Sequence, residues 1–454
     1  MQTSIRCVGV LLIVNLVLKA AVMMTTFASV SSTVHAAEGV VVWYTRSNPT
    51  ENAWQRQAIA DFRKVNSSIR IEHMITPWDQ YDQKLTMLFA ADTPPDLFSN
   101  WAWNGFMDMT LRGMTLRLDP LIERSGFDIS VFHPYALEYY RYEGGLYGLP
   151  LMMAPSALWY NADLFDDAGL PYPTVDPHDR SWDWDALVEL AKKLTIDRNG
   201  DGRIDQYGVN APYGMWGGLP SVVQLFGGDV FPPEAYETGI VRSASLADNP
   251  IALEAVTAIT DLIYTHRVAP TPAEGEAMSA LGDPFRTGRL AMNMTGGWGW
   301  WTYGDIKAFR VRAAAQPWGN PERRREIVVG ADPWLIASTS QNVDATWEFV
   351  MWLLSEEGQK AAIDAMGMPS ARMDLYEYWF QRWPQHTPDE LNTLFVGSLD
   401  YARPAADHRL QGYLELGRAM ESAMELVALG RATPAQGLAD AQERVDRIIA
   451  ERQQ

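Results

Sequence analysis

The order of apolar and polar positions switches repeatedly between a strand pattern and a helix pattern. Val40-Val-Val-Trp43-Tyr44 is a continuous apolar run of strand length, as expected of a buried strand. Arg46-Ser-Asn-Pro turns the chain, and residues 53–65 predict a helix with Trp54, Ala58, Ile59 and Phe62 on one face. Residues 69–74 predict a second strand. Residues 81–90 predict a second helix, closed by Asp92-Thr-Pro-Pro95, and Asp96-Leu-Phe98 a third, short strand. This alternation predicts an α/β fold with a parallel sheet. Ligands of such sheets bind beyond the carboxyl ends of the strands. Tyr44–Arg46 follow the first strand and Trp101 and Trp103 the third, so both groups fall on that edge.

Further along, Leu146-Tyr-Gly-Leu-Pro-Leu151 and Ala157-Leu-Trp-Tyr160 are extended apolar runs broken by Pro150 and Pro155. They read as a crossover between two lobes. Ser181 is the expected cap of a helix with Asp183 and Asp185 in its first turn, where the helix dipole favours acids. Its buried stripe is Trp184, Leu187, Leu190 or Ala191, and Leu194, and Trp182 belongs to the core with it. Residues 345–354 are amphipathic, so Trp347 and Trp352 read as packing residues. Thr433-Pro434 starts the last helix as cap and first-turn proline, with Leu438, Ala441, Val445 and Ile448 on its apolar face. Arg323-Arg-Arg325 reads as a solvated loop. The chain has no internal repeat and no low-complexity tract.

The chain start sets the compartment. Arg6 precedes an apolar run over residues 8–18, Lys19 interrupts it, and a milder run covers residues 20–30. Val34-His-Ala36 has the small-residue pattern of a cleavage site, so residues 1–36 read as a signal peptide and the mature chain as starting at Ala37. The run at 8–18 is too short to span a bilayer, which takes about 20 apolar residues. Cys7 is the sole cysteine of the 454 residues and falls in the leader without a lipobox. That excludes thiolate catalysis and thiolate metal sites from the mature chain, and it suits a periplasmic location.

Charge narrows the partners. The leader carries Arg6 and Lys19 and no acid, so its loss moves the net charge from −19 to −21. Nucleic acid and anionic membrane surfaces need basic patches, so neither is an expected partner. Without the leader, 418 residues remain, enough for two domains.

The 18 Trp residues carry the sharpest signal. Several stand beside Gly, Pro or Asn: Trp101-Ala-Trp103-Asn-Gly, Gly214-Met-Trp216-Gly-Gly, Gly296-Gly-Trp298-Gly-Trp300-Trp301 and Asp332-Pro-Trp334. Glycine weakens helix interiors, so these rings sit on loops or element ends. An indole there offers a flat platform to the C–H face of a sugar ring, or a plug for the core at a loop base.

Asp197-Arg-Asn199-Gly-Asp201-Gly202-Arg203-Ile-Asp205 offers oxygen ligands at loop positions 1, 3, 5, 7 and 9 with Gly at 6, the spacing of a calcium loop. Position 12 of that loop, residues 197–208, is Gly208 rather than a bidentate Glu. The loop is therefore a possible structural calcium site with an incomplete shell, or a plain Asp/Asn/Gly turn. No Gly-x-Ser-x-Gly elbow, no His-Glu-x-x-His and no phosphate-binding Gly-x-x-x-x-Gly-Lys occurs.

Taken in order, Pro95-Asp-Leu-Phe98, Tyr147-Gly-Leu-Pro150, Leu158-Trp-Tyr-Asn-Ala-Asp-Leu-Phe165, Arg289-Leu-Ala-Met-Asn-Met-Thr-Gly-Gly-Trp298, and Asp344-Ala-Thr-Trp-Glu-Phe-Val350 through Ser355-Glu-Glu-Gly-Gln359 resemble the carbohydrate-type extracellular solute-binding proteins of ABC importers, the maltose-binding protein family. The resemblance implies an α/β, two-lobed periplasmic binding protein fold with hinge crossovers and an inter-lobe ligand cleft. Lobe 1 would be residues 37–152 plus 332–384, and lobe 2 residues 153–331 plus 385–454. Carried over by position, Trp298 matches the main stacking aromatic, and Trp101 or Trp103 the aromatic after the third strand. Tyr213 and Trp216 match a cleft loop, and Asp332 and Trp334 the return into lobe 1. Arg46, at the first strand's tip, has a donor fork suited to vicinal hydroxyls. The family's maltose binders place a Glu after the crossover proline, whereas this chain has Leu151-Met-Met-Ala-Pro155, which departs from maltodextrin binders.

The resulting expectation is a monomeric periplasmic receptor with no catalysis and no required cofactor, passing a small carbohydrate to an ABC permease without entering the membrane. Two alternatives stand beside it. One is the same fold with a polyol, a glycerophospho-compound or an amine as ligand, since aromatic boxes also hold cations. The other is an exported glycoside hydrolase, which needs two carboxylates flanking the bond.

Overall fold

The computed structural model describes residues 39–99, 105–214 and 217–453. The expected leader, Cys7, Trp101, Trp103 and Trp216 lie outside the described residues.

Strand β1 (Gly39–Ser47), helix α1 (Pro49–Val65), strand β2 (Ile69–Pro77), helix α2 (Tyr81–Ala90) and strand β3 (Leu97–Phe98) follow the predicted alternation. β2 runs parallel to β1 from Gly39↔Ile69 to Ser47↔Pro77, and β3 runs parallel on its other side at Trp43↔Leu97. Asn48 starts α1, its side chain accepting the N–H groups of Thr50 and Glu51 and so satisfying donors that the first turn leaves open. Trp54, Ala58 and Phe62 on α1 are buried, with Trp54 edge-on to Trp43 of β1 at 6.0 Å.

The outgoing chain then forms three short strands, β4 (Leu149–Pro150), β5 (Ala154–Pro155) and β6 (Ala157–Asn161). Next come helix α3 (Trp184–Leu194), strand β7 (Tyr207–Val209), helix α4 (Pro250–Tyr264), strand β8 (Leu290–Thr295), the short helix α5 (Gly299–Thr302) and strand β9 (Val311–Ala314). The return runs through β10 (Ile327–Gly330) and β11 (Pro333–Ile336) into helix α6 (Val343–Leu353). Strand β12 (Ala402–Arg403), helix α7 (Ala406–Arg409) and the two long helices α8 (Tyr413–Ala428) and α9 (Pro434–Arg452) close the chain.

Among the described residues, three sheets have more than two strands, and Arg141–Tyr142 pairs with Gly145–Leu146 as a separate two-stranded ribbon. The first has the order β2-β1-β3-β11-β4, the second β9-β6-β8-β7, and the third β12-β10-β5. The expected all-parallel sheet holds for β1–β3 only, because β11 pairs antiparallel with both β3 and β4. The physical reason is connectivity: β11 enters from the returning chain and not through a βα crossover, so nothing enforces a parallel direction. The outgoing and returning segments run side by side. Pro333 faces Pro150, Gly330 faces Ala154 and Val329 faces Pro155. Leu151 N–H donates to the Asp332 carbonyl at 2.7 Å, and Ser156 N–H to the Val328 carbonyl at 3.0 Å.

Local departures from the sequence reading have local causes. Asp183, not Ser181, caps α3, accepting the Ala186 N–H at 3.0 Å. Ser181 is taken up in a turn by Asp179, which accepts its hydroxyl at 2.6 Å. Arg325 is not solvated. It is 1% exposed, donates to the carbonyls of Gln316 and Pro177 and lies 4.4 Å over the Trp318 ring. Carbonyls and an aromatic face replace water around that guanidinium. On α9 the buried residue is Ile449 and not Ile448. Trp182, Trp184 and Trp347 are core residues, as expected, and Trp352 is half-buried.

α3 lies directly on β7: a Cβ on Gly208 would stand 2.1 Å from the Ala191 carbonyl oxygen. Gly208→Ala is expected to destabilise the protein by about 1–3 kcal/mol through overpacking, read from urea unfolding midpoints. An unchanged midpoint would mean that α3 yields freely at this contact.

Candidate ligand-binding cleft

A cavity of about 870 Å³ opens where the carboxyl end of the first sheet, the crossing segments, α5 and α8 meet, and its volume lies within the roughly 300–1,000 Å³ range of ligand pockets. The first sheet contributes Arg46 at the tip of β1, Glu51 in the first turn of α1, and Trp78 just past β2. The crossing segments contribute Met152 and Asp332, and α5 contributes Trp298 and Trp301. Tyr213 lines another side, its hydroxyl fixed by the Thr260 hydroxyl of α4 at 2.6 Å. One face of α8 closes the remaining wall with Tyr413, Gly417 and Glu421 at one-turn spacing, and the Tyr413 hydroxyl donates to the Gly217 carbonyl at 2.8 Å.

Trp298 owes its position to the glycines around it. A Cβ on Gly296 would lie 2.2 Å from the Trp298 ring, so only glycine lets the indole fold back against its own turn. A Cβ on Gly297 would lie 2.3 Å from the Ala154 carbonyl oxygen of β5, and one on Gly299 2.2 Å from the Trp159 ring. The turn is thus pressed onto the outgoing segment and onto β6. Trp300 locks it there: its Nε1–H donates to the Pro155 carbonyl at 2.9 Å, and its ring packs edge-on against Trp159, Trp379 and Trp383. The run Gly296–Trp301 therefore divides its indoles, with Trp300 anchored in the core and Trp298 and Trp301 on the cavity.

The polar wall is dominated by acids. Arg46 holds Glu51 in a two-pronged pair, with Nε and NH2 at 2.8 and 2.7 Å from the two carboxylate oxygens, and its guanidinium lies 4.7 Å over the Trp78 ring. That geometry fixes the fork in place. Asp332 is 4% exposed. Burial pushes its carboxyl up to about 7, with Arg46 opposing and Glu51 and Asp407 adding to the rise. Asp82 is pushed up to about 6, by burial first and by Asp407 second.

Of the residues singled out from the sequence, the structure brings Arg46, Tyr213, Trp298 and Asp332 to this cavity. Trp334 does not reach it. On β11 the ring turns to the helix-covered side of the sheet, 1% exposed, and packs 5.6 Å from Trp43 and 6.5 Å from Trp54. Trp78 and Trp301 were missed by sequence reasoning. Trp78 follows β2 just as Arg46 ends β1, and the rule that favoured the tip of β1 applies equally to β2. The wall from α8 carried no such signal, since a polar residue facing a cavity and one facing solvent look alike in a helical pattern.

The loop at 197–208 lies apart from these lining residues. Asp197 accepts the N–H of Gly200 at 2.7 Å and of Gly202 at 2.9 Å. These bonds, that from Gly202 foremost, hold its carboxyl below the usual range. Asn199 accepts from Asp201 N–H, Asp201 from Arg203 N–H, and Asp205 from Arg198 N–H. Gly208, where a calcium loop has its bidentate acid, is the residue packed on Ala191, and no side chain fits there. Among the described residues no group of three or more His, Cys, Asp or Glu is arranged around a common metal position.

The family model for bacterial extracellular solute-binding proteins matches residues 47–360. A putative binding protein of Brucella abortus is 24% identical over 410 residues, 86% of this chain and 88% of that one. Among solved structures, an ABC substrate-binding protein of Listeria monocytogenes in complex with cycloalternan superposes with a TM-score of 0.74 at 23% identity, covering 91% of this chain and 99% of its own. The maltose/maltodextrin-binding domain MalE of Bdellovibrio bacteriovorus, bound to maltotriose, superposes with a TM-score of 0.68 at 18% identity, covering 91% and 100%.

The raised carboxyl of Asp332 has a definite sign. Between its ordinary value of 3.8 and about 7 the native state keeps a proton that the unfolded chain has lost. Its contribution to stability is therefore complete below about pH 4 and is lost as the pH rises to 7. Asp332→Asn is expected to flatten the decline of melting temperature across that window. A variant with the parent's pH profile would remove Asp332 as its source.

Proposed function

The chain belongs to the bacterial extracellular solute-binding protein family, and from that premise we propose that it captures an oligosaccharide between two hinged lobes and delivers it to an ABC transporter permease. The ligand class is carried over from the Listeria and Bdellovibrio proteins, whose structures hold cycloalternan and maltotriose. The observation that carries it is the lining of the cleft. Indoles of Trp78, past β2, and of Trp298 and Trp301, both at α5, come from two elements, beside a pre-formed Arg46–Glu51 pair and the buried Asp332 carboxyl. Aromatic faces suit the C–H faces of sugar rings, and the fixed fork and carboxylates suit their hydroxyls.

Within this reading, residues 37–152 plus 332–384 form lobe 1 and residues 153–331 plus 385–454 form lobe 2. The ligand-contacting set is Arg46, Tyr213, Trp298 and Asp332, joined by Trp78 and Trp301. The protein is a monomer that requires no cofactor and binds no nucleic acid. Residues 1–36 direct it to the periplasm and are removed there. Ligand would shift the population towards the closed form, which the permease reads.

Trp298→Ala is expected to weaken oligosaccharide binding by about 1–3 kcal/mol, the scale for a buried aromatic anchor, measured by isothermal titration calorimetry. Unchanged affinity would take Trp298 out of the site.

The loop 197–208 is proposed as a weak calcium site, with water in place of the missing twelfth-position carboxylate. Asp197, Asn199, Asp201, Asp205 and the backbone carbonyl of Arg203 would hold the ion and stiffen the turn. Millimolar calcium is then expected to raise the melting temperature by roughly 2–4 °C, reversed by chelator. Identical melting curves would make this a turn closed by its own amides.

A further inference from the structure

Asp332 stands on the cavity wall with no side-chain partner among the described residues. It is 4% exposed, it lines the cleft, and its side chain makes no hydrogen bond and no ion pair among the described residues. Its backbone carbonyl accepts Leu151 N–H at 2.7 Å. The side chain is therefore held in place and left to the cavity. A ligand that covered this carboxyl without hydrogen-bonding to it would leave a buried polar group unsatisfied, which is unfavourable in an apolar setting. Where the group is ionised it is acceptor-only, and the ligand must bring a donor.

The surroundings indicate which donor. Five carboxylates line the cleft, Glu51, Asp332, Asp407, Glu421 and Glu425, against the two guanidinium groups of Arg46 and Arg418. Arg46 acts on Asp332 electrostatically, while its Nε and Nη2 donate to Glu51. The other titratable groups that act on Asp332, or on which it acts, are Glu51, Asp407 and the phenols of Tyr139 and Tyr140, none of them cationic. An excess of acid inside a concave, low-dielectric site focuses a negative potential on whatever enters. It opposes uronates and other anionic sugars. It favours a ligand with a positive charge, because a carboxylate–ammonium hydrogen bond is roughly twice as strong as a neutral one. Aromatic rings flank the same space, and they too attract cations.

We propose that the solute is an amine-bearing saccharide and that Asp332 is the residue that selects it, pairing with the protonated amine inside the cleft. This rests on the reading of the cleft as a saccharide site and narrows it to one class. A protonated amine beside Asp332 stabilises the carboxylate and draws its proton off. Binding then releases a proton below about pH 7, and affinity rises as the pH goes from 5 to 7. A neutral sugar donating a hydroxyl shows neither effect to the same degree.

The test uses the full mature chain and four probes: maltotriose, chitotriose, fully deacetylated chitotriose and trigalacturonate. Isothermal titration calorimetry at pH 5 and pH 7 gives the affinities, and two buffers of different ionisation enthalpy give the proton count. The expected result is at least a tenfold preference for deacetylated over acetylated chitotriose at pH 7, with proton release at pH 5. Asp332→Asn should bring that ratio towards one, and the variant's fold is checked by its circular dichroism and melting curve. Preference for a neutral or acidic probe, or a preference for the amine that Asp332→Asn leaves intact, overturns the inference and leaves the saccharide receptor standing. Binding of none of the four probes overturns the inference as well. A wider thermal-shift screen then decides the receptor reading on its own, since a neutral or acidic saccharide found there keeps it and a barren screen removes it.

Discussion

The antiparallel pairing of the outgoing and returning segments is the constraint on which the rest depends. Residues 149–156 and 327–334 are far apart in sequence, yet they face one another from Pro333↔Pro150 to Val329↔Pro155. This ladder joins the first sheet, through β11 and β4, to the third, through β10 and β5. It is also sparse. Pro150, Pro155 and Pro333 have no N–H to give, so the pairing leans on a few bonds, among them those from Leu151 and Ser156. A ladder with few cross-strand bonds keeps its register while bending at low cost. That is the mechanical requirement of a hinge in this fold family.

The aromatic side of the cleft hangs on the same ladder. Gly297 abuts the carbonyl of Ala154, and Trp300 donates to the carbonyl of Pro155. A proline carbonyl in a short strand has a free lone pair available to a partner outside the sheet. Trp300 takes that role, and the buried indoles of Trp159, Trp379 and Trp383 hold it there. Trp298, two residues earlier in the same turn, inherits its position from this anchor. The glycines supply no binding energy. They remove the Cβ atoms that would push the turn off the strand.

The elements whose partners are local were legible in the sequence. The strands and helices of residues 39–98 carry period, caps and breakers in their own residues, and so does Thr433-Pro434 at the last helix, with its capping box to Gln436. What was not legible depends on contacts made across the chain. The antiparallel β11 depends on where the returning segment docks. Arg325 looks like a surface charge until the carbonyls of Gln316 and Pro177 are brought around it. Trp334 and Trp298 both stand beside a proline or glycine, but the first is turned into the sheet's covered face and the second onto the cavity. The direction of a side chain on a four-residue strand or turn is set by its neighbours in space. The wall from α8 is the same problem in a helix.

Asp332 joins these threads, because one residue serves both the ladder and the cleft. Its carbonyl closes the bond to Leu151, while its carboxyl lines the cavity. Under the proposed function, closing the lobes around an empty cleft would bury the group more deeply without a partner, which is unfavourable. A ligand that donates to Asp332 removes that penalty at a point on the hinge itself. In that reading closure would become favourable only with the right solute in place, and the ligand's differential affinity for the closed state would drive the shift. In the proposed reading, the carboxyl that opposes closure of the empty cleft would thus also couple recognition to movement.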